Sequence, residues 1–324
     1  MTDDTDQLAE AFSVARPRLV RVAYAILGSH AEAEDAVADC WLRLVAANAS
    51  EPVRDVESWA VVAVSRMALD VLRSARVRRE QYVGPWLPEP VLTGGAGEAG
   101  AGWGAAGVGL GVAGAGLGAG LGAGGYGSDP ADKVTLDDEV SYALLVVLET
   151  LSPPERTAFV LHDLFGMPFA EIASVVGRTQ VAVRQLASRA RRQVRAHGGV
   201  PPADSAERRR VVAAFEVAVT SGDLTGLIHV LDPDVVLVSD GGGVVTAALR
   251  PIEGADHVGR FLLGVMAKGQ PDDRVAHVDV NGAPGFALYR NDDLVTVVSV
   301  TVAHGKVTRL DLVRAPAKLP RPLA

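Results

Sequence analysis

The chain has a single cysteine, Cys40, in 324 residues. One thiol excludes an internal disulfide framework and suits a reducing compartment. It falls on the apolar face of a helical pattern, where a buried structural thiol is the expectation and a redox sensor the alternative. The N-terminal MTDDTDQ is acidic and has no apolar core, so no secretory leader is expected. Positive charge is also short: 31 Lys and Arg stand against 39 Asp and Glu, a formal net charge of −8. Phosphate neutralisation supplies most nonspecific affinity for nucleic acid, so such a chain is not built to coat DNA by charge alone.

The charge is unevenly spread. Residues 129–177 hold nine acidic and two basic side chains, whereas residues 178–204 hold six basic and one acidic. A smaller basic run comprises Arg73, Arg76, Arg78 and Arg79. An acidic chain with two local basic patches either binds DNA weakly or is presented to DNA by another protein, and presentation by a partner is favoured.

The larger basic block has the form of a helix-turn-helix. PFAEIASVVG is followed by TQVAVRQLASRARRQVR, with Gly177 suited to a left-handed turn and Thr179 to an N-cap. Val183, Leu186, Ala187, Ala190 and Val194 recur at helical spacing on one face. Gln180, Arg184, Gln185, Ser188, Arg189, Arg191, Arg192 and Arg195 point elsewhere, and no acidic residue interrupts Gly177 to Arg195. Such a helix reads base edges with its N-terminal half and grips phosphates with its C-terminal half. A solvated basic helix in an ordinary bundle is the alternative.

Residues 1–82 read as an all-helical domain. A helix covers about Leu8 to Leu27 and stops at Gly28, and Ser29 with Glu32 forms a capping box for the next. That second helix buries Ala33, Val37, Cys40, Trp41, Leu44 and Val45 and exposes Glu34, Asp35, Asp39 and Arg43. A loop from Ala49 to Val56 leads to a third helix, about Ser58 to Arg79. Residues 83–128 form a linker: an extended, Pro-punctuated VGPWLPEPVL, then a Gly/Ala-rich tether whose glycines disfavour folding. A membrane helix is the competing reading there, disfavoured by poor helix formers and few large apolar side chains. Residues 129–200 form a second helical unit, with Ser152-Pro153-Pro154-Glu155 a helix start and helices over about Glu155–Phe165, Phe169–Val176 and Gln180–Ala196. In residues 201–324, helices Ala206–Thr220 and Ala255–Ala267 accompany a run of strand patterns, which indicates an α+β domain.

EAEDAVADCWLRLV, SWAVVAVSRMALDVLRSARVRRE, LSPPERTAFVLHDLFGMPFAEIASVVG and the basic helix together resemble an extracytoplasmic-function sigma factor of the sigma-70 family. WLPEP (Trp86, Leu87, Pro88, Glu89, Pro90), DGGG (Asp240, Gly241, Gly242, Gly243) and NGAPG (Asn281, Gly282, Pro284, Gly285) resemble the signature motifs of its group 41 branch, which carries a SnoaL-like domain fused behind domain 4. The branch usually has Lys after DGGG; here the residue is Val244, so an ion pair from that lysine is not carried over.

The resemblance implies a multidomain chain: two all-α sigma domains, a domain 2 bundle and a domain 4 helix-turn-helix, plus an α+β SnoaL-like cone. The implied partners are core RNA polymerase and promoter DNA, in the cytoplasm, with no cofactor or metal and no membrane. Asp35, Asp39 and Arg43 would face the polymerase. The loop from Asn48 to Val56 would capture an unstacked base of the −10 element, with Arg54, Arg66, Arg73 and Arg76 near the melted strand. Trp59 is a core tryptophan first and a stacking platform second. Thr179, Gln180, Arg184, Gln185 and Ser188 would read the −35 element, and Arg189, Arg191 and Arg192 would hold phosphates.

Asp240, His257, His277 and Asp279 invite an acid–base role, but nothing in the sequence makes them converge, and no catalysis is expected. Instead the WLPEP, DGGG and NGAPG motifs would meet in cis, so that the C-terminal domain regulates the other two; an unidentified small ligand or protein at this domain is a further candidate partner. Two rivals remain: a ligand-sensing one-component DNA-binding regulator, and an isomerase- or cyclase-like enzyme with an appended helix-turn-helix.

Overall fold

A computed structural model describes residues 2–79, 82–93, 140–198 and 204–320; for residues 2–5, 75–79, 93, 197 and 198 only the backbone is described. The Gly/Ala-rich tether and the proposed helical start near Asp129 lie outside the described residues.

Three helices form the N-terminal unit: α1 (Thr2–Leu27), α2 (His30–Ser50) and α3 (Val56–Arg79). Gly28 ends α1 at φ 72°, the left-handed stop that a Cβ would resist. Ser29 caps α2, accepting from Glu32 N at 3.1 Å. The second helix runs two residues past its expected end, so the following loop is only Glu51–Asp55. Asp55 then caps α3 through both carboxylate oxygens, on Ser58 N at 2.9 Å and Ser58 Oγ at 2.7 Å, which starts α3 two residues early. Cys40 is fully buried. Val45, expected inside, is exposed, because it lies beside the stripe of Ala33, Val37, Cys40 and Leu44 rather than on it.

Helices α4 (Tyr142–Leu148), α5 (Pro153–Phe159), α6 (Phe169–Val176) and α7 (Gln180–Gly198) form the second unit. Ser152 and Glu155 make the expected capping box, with Pro at the first helical positions. The helix expected through Phe165 changes to a π-helical turn over Val160–Leu164. The two helical units share one apolar cluster: Ile26, Leu44 and Leu69 of the first lie in it with Leu148, Leu161 and Val183 of the second.

The C-terminal unit has helices α8 (Ser205–Thr220), α9 (Leu224–Val230) and α10 (Ala255–Met266) and strands β2 (Leu231–Asp240), β3 (Ile252–Glu253), β4 (Asp273–Val280), β5 (Ala283–Arg290), β6 (Asp293–Ala303) and β7 (Lys306–Val313). With β1 (Leu92–Thr93) added, the sheet order among the described residues is β1-β4-β5-β6-β7-β2-β3. All pairs are antiparallel except β2 with β7. The α+β expectation holds. Strand β1 (Leu92–Thr93) comes from the linker and pairs with β4, Leu92 opposite Val280.

Alternation along the strands gives the sheet two apolar faces. Val275, Phe286, Val300 and Leu310 pack with Phe215 and Val258 of the domain's own helices. Val238, Val278, Ala287 and Val297 pack instead with Leu87 of the linker and Tyr142 of α4. The second face is therefore closed by the rest of the chain.

Candidate nucleic-acid interface and linker clasp

The basic helix α7 stands as its sequence pattern requires. Gly177 takes φ 69°, and Thr179 Oγ1 accepts from Ala182 N at 3.3 Å. Val183, Leu186, Ala187 and Ala190 are buried, while Gln180, Arg184, Gln185, Ser188, Arg189 and Arg192 are exposed. The Arg184 guanidinium carbon lies 5.5 Å from the centre of the Phe169 ring on α6. The arginines one and two turns on are already engaged. Arg189 pairs with the capping-box Glu155 at 3.2 Å, and Arg191 with Asp163.

The domain 2 candidates divide in the same way. Asp35, Asp39 and Arg43 form an exposed row on α2. The loop after α2 borders a cavity of about 460 Å³ lined by Ala47, Ser50, Pro52, Arg54, Asp55 and Trp59, with Trp59 half-buried. Asn48 is half-buried. Its Oδ1 accepts from Val53 N at 2.9 Å and so shapes the loop. Arg73 pairs with Asp70 on its own helix at 3.2 Å. Arg66 donates to the Ser174 carbonyl of α6 at 3.1 Å, which ties the third helix to the helix-turn-helix. The side chain of Arg76 lies outside the described residues.

The three motifs of the linker and C-terminal domain do converge, on a clasp. Asp240, with no exposed surface, accepts from four donors: Tyr82 Oη at 2.6 Å, Leu87 N at 2.9 Å, Gly242 N at 2.9 Å and Lys318 Nζ at 2.7 Å. Burial and the bond to this carboxylate push the Tyr82 hydroxyl well above its usual range. Lys318 also donates to the Leu87 carbonyl at 2.8 Å and lies over the Trp86 ring. Gly242 and Gly243 have φ near 70°, and a Cβ on Gly241 would stand 2.3 Å from the Val245 carbonyl oxygen. The turn thus brings backbone against Tyr82 and Val83 in a shape open only to glycine. Val244 is 79% exposed, and the cation of the clasp is Lys318.

Glu89 performs the same service on domain 2. Its carboxylate accepts from Ser29 Oγ at 2.8 Å, His30 N at 2.7 Å and Ala31 N at 3.2 Å, covering the orphan amides that open α2. Its backbone N–H donates to Gly28 O at 2.8 Å. Asn281 and Gly282, at φ 49° and 72°, make the two-residue turn between β4 and β5. The buried Asn281 amide donates to Tyr24 Oη at 2.9 Å and Val140 O at 3.2 Å, and accepts from Val91 N at 3.1 Å. One side chain thereby joins domain 2, the linker and the start of domain 4. Gly285 is required because a Cβ there would meet Val298 O at 2.5 Å across the sheet, while Pro284 pairs with Asp279 beside it.

Two residues overlooked in the sequence complete the joint. Tyr142 is buried and donates to Pro88 O at 2.8 Å. Burial in this apolar seam raises its hydroxyl well above the ordinary tyrosine value. Arg156, 1% exposed, donates to Ala25 O at 3.2 Å and pairs with Glu149. An arginine within a capping-box helix gives no local signal of an inter-domain bond, whereas the apolar residues after Tyr142 and the serine before it were a signal of burial that went unused.

The acid–base candidates of the C-terminal domain do not assemble. Asp240 belongs to the clasp, His277 pairs with Glu216 at 2.8 Å on the surface, and His257 contacts its own helix start, Glu253 O. No His, Cys, Asp and Glu cluster suited to a metal occurs among the described residues. None of their helices is long and apolar enough to cross a membrane. Burial pushes the Cys40 thiol up to about 11, which makes it a poor nucleophile.

Comparison with known proteins agrees with this layout. The family model "Sigma-70 region 2" matches residues 12–78 and "Sigma-70, region 4" matches residues 141–194. The ECF RNA polymerase sigma factor SigJ of Mycobacterium tuberculosis is 36% identical over 310 residues, 92% of this chain and 89% of that one. The probable ECF RNA polymerase sigma factor SigI of the same organism is 33% identical over 315 residues, 97% and 95% of the two chains. The crystal structure of M. tuberculosis SigJ superposes with a TM-score of 0.69 at 32% identity, covering 96% of this chain and 97% of that one. With the helix-turn-helix, the domain 2 bundle and the fused α+β domain all in place, the chain belongs to the extracytoplasmic-function RNA polymerase sigma factors.

Proposed function

We propose that this sigma factor is held closed by its own C-terminal, SnoaL-like domain through the linker clasp, and that opening the clasp frees it for promoter DNA. It acts in the cytoplasm, beside the polymerase, and the C-terminal domain regulates without catalysing. The observation that carries the reading is Asn281, whose one amide bonds Tyr24, Val91 and Val140 across three parts of the chain.

The −10 and −35 elements lie ~25 base pairs apart, about 85 Å at ~3.4 Å per pair. With Arg66 of α3 bonded to Ser174 of α6, the two reading domains touch, and the closed chain cannot engage both elements together. Opening separates them. Gln180, Arg184, Gln185 and Ser188 then read the −35 bases, and Thr179 holds the turn. Arg192 meets phosphate directly, while Arg189 and Arg191 must exchange Glu155 and Asp163 for it. Asp35, Asp39 and Arg43 dock on core polymerase. The cavity bordered by Arg54, Asp55 and Trp59 takes the unstacked −10 base, with Arg66, Arg73 and Arg76 along the strand.

The test is run-off transcription with purified core polymerase on a promoter library, comparing the full chain with Asn281→Ala. Promoter-specific initiation that rises in the variant is expected. Specific initiation from neither protein would overturn the assignment, and equal output from both would remove the clasp from regulation.

A further inference from the structure

The Lys318 ammonium is held as a bound ligand would be. It lies 3.9 Å from the centre of the Trp86 ring and 4.8 Å from that of Tyr82. It donates to Asp240 Oδ2 at 2.7 Å and to Leu87 O at 2.8 Å. Two aromatic rings, a carboxylate and a carbonyl are the recognition set for an alkylammonium: ring quadrupoles attract the cation while the oxygens accept its N–H groups.

The site is also organised without the lysine. Tyr82 Oη, Gly242 N and Leu87 N fix the Asp240 carboxylate, and all three belong to the linker or the turn after β2. Burial of Asp240 removes competing water and strengthens its pull on a cation. Lys318 comes from elsewhere, the short 3-10 turn Pro316–Lys318 beyond β7. The cage and its occupant are therefore separate pieces of chain.

We propose that Tyr82, Trp86, Leu87 and Asp240 form a receptor for a primary alkylammonium, filled in cis by Lys318, and that a small free amine can take the same place. The effect on transcription rests on the closed state argued above, but binding is measurable without it.

The test uses the full chain labelled with 5-fluorotryptophan, the Trp86 resonance being assigned with Trp86→Phe. Lys318→Ala empties the cage and shifts that resonance. Titration with n-butylammonium, which matches the lysine stem and head, returns it saturably, and n-butanol at the same concentrations does not. In Lys318→Ala with Asp240→Asn the apparent affinity for n-butylammonium falls about thirtyfold. No saturable response, or an equal response to n-butanol, overturns the receptor. Should Lys318→Ala fail to fold, amine acetylation of the wild-type chain decides: Lys318 reacts at least about tenfold more slowly than exposed Lys268, and equal rates overturn the cage. A restored resonance with unchanged transcription sustains the receptor and counts only against the closed-state reading.

Discussion

The recognition helix α7 and the linker clasp differ in how much of their chemistry is already committed. On α7 the residues proposed to read bases, Gln180, Arg184, Gln185 and Ser188, face solvent, and even the paired Arg189 and Arg191 form surface ion pairs of small net worth. In the clasp, Asp240 has four donors and no exposed surface. Contacts of the first kind add up one by one and are exchanged cheaply for a phosphate. Those of the second kind are each costly to break, because a buried group that loses its partner has no water to fall back on. The proposed DNA contacts are cheap to exchange, and the clasp contacts are not.

The sharpest way to break this contrast is Asp240→Ala. It strands the Lys318 ammonium among aromatic rings, and removal of one partner of such a pair costs about 3–5 kcal/mol. X-ray scattering should show an expanded chain, whereas an unchanged radius of gyration would mean that the clasp does not hold the domains. Gly28→Ala should come next. A Cβ there meets Glu149 Oε1 at 2.9 Å and the Trp86 ring at 3.3 Å, at φ 72°. Urea unfolding should show a loss of about 2 kcal/mol, with no loss meaning that α1 and Trp86 can separate freely.

On the DNA side, Arg184→Ala should lower output from the cognate promoter about tenfold, within the ~1–3 kcal/mol of a good base contact, and leave polymerase binding intact. Retained output would move the reading function to another residue. The smallest effect is expected at Asp55, whose bonds to Ser58 N and Oγ hold its carboxyl below the usual range. A depressed folded value means that the cap stabilises above the unfolded value of 3.8 and fades as pH falls below it. Asp55→Ala should cost about 1 kcal/mol at neutral pH, and the difference from wild type should shrink in acid; a pH-independent difference would exclude the charged cap.

Local chemistry made the helices and the turn legible. Ser29, Ser152 with Glu155, and Gly177 act on neighbours within four residues, and the fold realises each. The motifs WLPEP, DGGG and NGAPG pointed to a meeting in space without saying how. The bonds that realise it, Asn281 to Tyr24 across 257 positions and Tyr82 to Asp240 across 158, follow no period that a window of sequence could reveal. Lys318 was invisible for the same reason, a single lysine in APAKLP with no local pattern around it. Strand β1 escaped notice because two residues are too short to alternate, and the bond from Arg66 to Ser174 because an exposed arginine looks the same whether it will hold a phosphate or a carbonyl.

Asn281 has a further consequence for how such chains vary. Its amide accepts from Val91 N on the linker side and donates to Val140 O ahead of α4, so two points 49 positions apart meet at one side chain. Two points held under one button stay together whatever length of thread lies between them. In a flexible chain, doubling the length between two ends raises the entropic cost of bringing them together by only ~0.6 kcal/mol. Insertions between Val91 and Val140 should therefore leave the shut state almost as stable as before.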